Sequence, residues 1–235
     1  LRSTKRMSYY GYILLFSFLG PFALSFDKKV AYIKKVPRLI LPVLIVSGLF
    51  LVWDQWFTEK GVWGFTIAHT AHIFLGKLPL EEILFFVVVP YNCIFIYEVM
   101  GAYFRLENNP KLNRLFFAVF LLLGVLLLLQ QPSGWYTLSS VLFAFALSVV
   151  LLIVNPKWLT QFVVAFLVCL LPFLIVNGLL TGAATTLPVV WYNPAEFSGW
   201  RIITIPVEDL FYNFDLLVGF VAFFNLGNKR LALSK

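Results

Sequence analysis

Charge is what this 235-residue chain has least of. Asp, Glu, Lys and Arg make up 12% of it, where a soluble domain carries about 25%. Apolar residues make up 61%, against a usual figure of about 45–50%, which leaves too little polar surface to cover a globule in water. A soluble enzyme, a disordered segment and a secreted disulfide scaffold are all excluded. Cysteine is nearly absent: Cys93 and Cys169 each lie inside an apolar run and read as small buried hydrophobes. The two histidines, His69 and His72, have no cysteine close by. They suit a polar loop, and no metal is expected. No GxGxxG follows a strand and no GxxxxGK[ST] occurs, so nucleotide cofactors gain no support and none of any kind is expected.

What the chain has is long uncharged runs, with a mean hydropathy of +0.89. A span needs about 20 residues. The runs Tyr9–Phe26, Pro37–Trp53, Leu80–Met100, Leu115–Gln130, Leu138–Val154, Leu159–Leu180 and Pro206–Leu226 predict seven transmembrane helices in an all-α, multi-pass membrane domain over residues 1–235. Gln130 to Gly134 read as a tight turn between the fourth and fifth. The first run lacks a small-residue cleavage site and leads into a basic loop, so no cleavable signal peptide is expected. The net charge of +7 comes from clusters between apolar runs, which are topology signals rather than a nucleic-acid surface. Six Lys and Arg fall on the side of the N-terminus, Lys60, Lys77 and Arg201, and twelve on the other. That bias predicts a cytoplasmic C-terminus and an outside N-terminus in the cell membrane.

A repeat is visible. Val62–Glu82, VWGFTIAHTAHIFLGKLPLEE, and Val190–Asp209, VWYNPAEFSGWRIITIPVED, both open on Val-Trp. Both close on an aliphatic–Pro–aliphatic–acid–acid element, and one gap aligns them. Spans one to three (residues 9–105) then match spans five to seven (residues 138–226). The fourth span, 115–130, becomes a linker helix. Matched spans differ by four crossings, so the two three-helix repeats are expected to run parallel.

Ionised side chains are costly at membrane depth, so Glu81, Glu82, Glu208 and Asp209 are site candidates. Pro79 and Pro206 suit a helix start, which sets these acids at the positive end of the helix dipole. On a helix, Glu81 faces Phe85 a turn later, and Glu82 faces both Phe85 and Phe86. Phe211 and Tyr212 follow the second pair, and Glu208 faces Tyr212 and, two turns on, Asp215. Acids in a dry, aromatic-lined pocket could give a proton to a substrate and hold the resulting cation by cation–π attraction. Asp54, beside Trp53 at the end of span two, is a further proton-handling candidate. Asn92 and Glu98 are weaker ones, and the tryptophans also suit an interfacial belt.

LPLEEILFF at Leu78–Phe86, WDQW at Trp53–Trp56, GVW at Gly61–Trp63 and IPVEDLFYN at Ile205–Asn213 together resemble the integral-membrane lycopene beta-cyclases, in their single-chain form. The second element departs from the pattern, with Asp209 for the second Glu and Tyr212-Asn213 for the aromatic pair. The resemblance implies an isomerase that converts lycopene through gamma-carotene to beta-carotene without net redox change. It also implies lipid-borne carotenoid substrates, contact with membrane lipids, association with other carotenoid enzymes, and proton traffic through the two acid pairs. Which pair donates is left open. Alternatives are a carotenoid hydratase, a cyclase giving another ring isomer, and a proton-coupled transporter. A retinal protein would need a lysine in the last span, and Pro206–Leu226 has none.

Overall fold

The computed structural model describes residues 7–233, with side chains as far as Leu226. Arg2, Lys5, Arg6 and Lys235 of the charge tally lie outside the described residues, as do the side chains of Lys229 and Arg230. Helix α1 spans Tyr9–Leu24, α2 Val36–Lys60, α3 Leu80–Tyr103, α4 Pro110–Gln130, α5 Trp135–Val154, α6 Leu159–Leu180 and α7 Glu208–Leu233. Between α2 and α3 run the short strands β1 (Trp63–Phe65), β2 (Phe74–Leu75) and β3 (Leu78–Pro79). Between α6 and α7 run β4 (Val190–Tyr192), β5 (Arg201–Ile202) and β6 (Ile205–Pro206).

Among the described residues, six helices, α2 to α7, are long and apolar enough to cross a membrane. The chain is a helical membrane protein. Helix α1 is equally apolar but has 16 residues. At 1.5 Å per residue it reaches about 24 Å, short of a hydrocarbon core of about 30 Å. Helices α4 and α5 start earlier than their apolar runs, at Pro110 and Trp135 rather than Leu115 and Leu138. Polar first turns are invisible to a hydropathy count, but caps reveal them. The Asn109 side chain accepts from the Leu112 N–H at 3.2 Å, and Pro110 fits the first helical position. Helix α2 begins as a 3-10 turn and passes through a π-bulge at Val43–Ser47, next to Pro42, which has no N–H to give. It ends at Gly61, whose φ of 69° closes the helix with a left-handed residue.

Helix α7 is the centre of the bundle. Of its apolar window 61% is buried, against 28–33% for the other five spans. Phe120, Phe162, Phe166, Phe211 and Phe214 interlock around it, with Phe120 stacked on Phe211 at 4.4 Å between ring centroids. The closest helix pairs are α5 with α7, α1 with α3, and α3 with α6.

The loops before α3 and α7 share their geometry at a spacing of 127 residues. Hairpin β2–β3 pairs Phe74 with Pro79, and β5–β6 pairs Arg201 with Pro206. The first turn residue has positive φ in both, 64° at Gly76 and 61° at Ile203, and so do His72 (60°) and Gly199 (82°). Strands β1 and β4 pair antiparallel with Gly64 opposite Trp191 at the middle. Those two residues are also 127 apart, so the ladder is symmetric about its centre. The Val-Trp dipeptides at Val62 and Val190 are one residue out of step with this spacing. Gly64 is required there, because a Cβ would strike the Trp191 ring.

Candidate active site

The acid pairs sit on the first turns of α3 and α7, directly after the two hairpins. Adjacent residues on a helix point about 100° apart, and here that divides each pair. Glu81 turns into its own loop, where Ser8 Oγ donates to Oε1 and so does the Ala71 N–H, at 2.6 Å. Glu208 does the same 127 residues on: Thr137 Oγ1 and the Ser198 N–H both donate to its Oε1 at 2.7 Å. These two acids are buried braces that tie a loop and a neighbouring helix to the start of a span.

Glu82 and Asp209 turn the other way, into an apolar cavity of about 320 Å³. The cavity draws on matched positions of both halves: Asp54 and Thr181, Glu82 and Asp209, Phe85 and Tyr212. The hydrogen bonds on the two facing acids differ. Among the described residues Glu82 receives one, from Tyr10 Oη at 2.6 Å. Asp209 receives three, from Tyr136 Oη, Tyr192 Oη at 3.0 Å and Asn177 Nδ2 at 3.1 Å. Tyr136 and Tyr192 stack with 5.7 Å between centroids. Burial first, and then Asp209, push the Tyr192 phenol well above its usual range, so it remains a donor. The Arg201 guanidinium lies over the Phe197 ring at 4.7 Å and reaches the Tyr192 ring at 5.8 Å.

Asp54, 2% exposed, is a third carboxyl on the cavity and accepts from the Trp63 indole N–H. The Tyr212 ring meets Phe50 at 5.0 Å, Trp53 at 5.2 Å and Trp63 at 5.9 Å. Asn92 also lines the cavity and donates to the Ser17 carbonyl at 3.1 Å.

Of the candidates read from the sequence, the cavity gathers Asp54, Glu82, Phe85, Asp209 and Tyr212. Glu81 and Glu208 lie behind it. Trp53, Phe86 and Phe211 pack in the core around it. Asp215 is buried to 1% exposure away from the lining, with no hydrogen-bond partner among the described residues. Glu98 pairs with Lys35, and His69 Nε2 lies 3.0 Å from the Leu187 carbonyl oxygen. Sequence reasoning missed Tyr10, Tyr136, Tyr192 and Asn177. Only Asn177 left a signal, as an amide inside an apolar span.

Among known families, the lycopene cyclase model matches the chain twice, over residues 7–100 and 133–226. No curated protein and no solved structure matches. Each matched stretch contains one hairpin, one acid pair and one wall of the cavity. The chain therefore belongs to the lycopene cyclase family, and with it to the enzymes of carotenoid cyclisation.

Proposed function

We propose that the protein is a lycopene beta-cyclase that closes a six-membered ring by proton addition and proton loss, with no net redox change. The observation that carries this reading is the placing of Glu82 and Asp209, from the two halves of the chain, on one apolar cavity. Ring closure needs a proton delivered to the terminal double bond and a base to remove another afterwards. A carboxylate offers only acceptor positions, and Asp209, met by three donors, is the better held of the two. We assign proton delivery to Glu82, assisted by Asp54, and proton removal to Asp209. The added proton makes a tertiary cation, the chain folds to form the ring C–C bond, and loss of a ring proton leaves the new double bond. Phe85 and Tyr212 offer ring faces to the cation. The apolar lining keeps out water that would otherwise capture it.

In the same reading, α1 is a seventh span, its shortfall in length met by local thinning of the bilayer; α1–α3 and α5–α7 form two parallel repeats, and α4 is the linker. The matched hairpins, the symmetric ladder and the twofold family match support this arrangement. The Lys and Arg bias supports an outside N-terminus. Expression in lycopene-accumulating cells tests the activity, with pigments separated by chromatography and weighed by mass. Gamma- and beta-carotene are expected. A product heavier by water, a different ring isomer or unchanged lycopene would overturn the assignment.

A further inference from the structure

The cavity is closed at the acid end and open along one side. At the closed end Tyr10, Trp63, Tyr136 and the three carboxyls are all buried. Helices α1 and α6 meet there, with Ile13 and Leu14 in one apolar cluster with Leu180. Along α3 the lining runs from Glu82 to Ile96, which is about 21 Å at 1.5 Å per residue. Partway along, the wall is formed by Ser17 and Pro21 of α1 and by Pro172 and Ile175 of α6, with Ile175 two residues from Asn177, which donates to Asp209. Ile175 is 59% exposed although it lines the cavity. The opening therefore lies between α1 and α6, on an apolar face where Phe16 and Leu171 also stand exposed. Both rim helices carry a proline in their interior, Pro21 and Pro172. Each removes a backbone hydrogen bond and loosens the turn before it.

Among the described residues no carboxyl lines the far end; the polar groups there are Ser17, Asn92, Cys93 and Cys169. A linear carotenoid is a stiff conjugated rod with a reactive group at each tip, and this cavity has one acid cluster to offer. Resting on the proposed cyclase activity, we propose that the polyene slides in from the lipid between α1 and α6, one tip at a time. The singly cyclised product then backs out through the same gap, and the second ring is made only after the rod has reversed and returned.

Two measurements on purified enzyme in phosphatidylcholine vesicles test this. In the first, uptake of lycopene is followed by its absorbance shift. The Ile175→Trp and Ser17→Phe variants, checked for unchanged thermal unfolding, are expected to slow uptake about tenfold, and Leu122→Trp, exposed on α4, a helix absent from the lining, to leave it unchanged. Uptake at the wild-type rate in both folded rim variants would overturn the gap as the route. Glu82→Gln should take up lycopene normally and fail to cyclise it, so a fault in the cyclase assignment shows in product and not in uptake. In the second, ¹³C-lycopene is followed after a short pulse by excess unlabelled lycopene. Label is expected to remain in the monocyclic product, with dicyclic label reduced at least tenfold. Dicyclic label undiminished by the chase would overturn release between rings.

Discussion

Glu82 and Asp209 occupy the same turn of two helices, 127 residues apart, and both open into one cavity. Each neighbouring acid, Glu81 and Glu208, is spent on holding its own loop. Glu82→Gln and Asp209→Asn are therefore expected to lower ring formation by about 10²–10⁴-fold, the usual contribution of a positioned acid or base. Carotenoid still bound to the purified variants would show that chemistry, not binding, was lost. Activity near that of the parent in either variant would contradict the assignment.

The bracing acids should behave differently. Glu81→Ala and Glu208→Ala each leave a buried hydroxyl and a backbone N–H without their acceptor, at about 1–3 kcal/mol per unsatisfied group. The expected result is a lower melting temperature in detergent. Turnover per folded molecule should fall far less than in Glu82→Gln. A variant of full stability and no turnover would move that acid into the chemistry.

Tyr192 holds Asp209 from the loop between α6 and α7, under Arg201. Tyr192→Phe keeps the ring and its stack on Tyr136 but removes the donor. We expect ring formation to fall about tenfold, which corresponds to about 1.4 kcal/mol, with KM for lycopene unchanged. A change confined to KM would instead place Tyr192 on the substrate.

Ile203 carries a branched side chain at a φ of 61°, where its counterpart in the other hairpin is Gly76. A left-handed conformation costs about 1–2 kcal/mol in a residue with a Cβ, and Ile203 is 73% exposed, so it returns little packing. Ile203→Gly is expected to raise the melting temperature by an amount equivalent to about 1 kcal/mol. The reverse change, Gly76→Ile, should destabilise, because its Cβ would also strike the Gln55 side chain.

Six of the seven expected spans and the position of the doubled acids could be read from the chain because both are local patterns: runs without charge, and acids after a proline at a helix start. What local pattern did not carry was the division within each pair. Glu81 and Glu82 are equivalent in composition and differ only in which way the helix turns them, and that depends on where α1 and the β1–β4 ladder pack. Tyr10, Tyr136 and Tyr192 were illegible for the same reason: each reaches its acid across tertiary contacts from another helix or strand. The first helix read two residues too long, since Ser25 turns back to donate to the Pro21 carbonyl at 2.6 Å.

In this mechanism ring closure begins with a proton from the protein, and deuterium counts it directly. Enzyme equilibrated in D₂O and given lycopene for a single turnover should yield gamma-carotene heavier by one deuterium, located in the new ring, and Glu82→Gln should yield almost none. A cyclised product from D₂O that carries no deuterium would contradict the account.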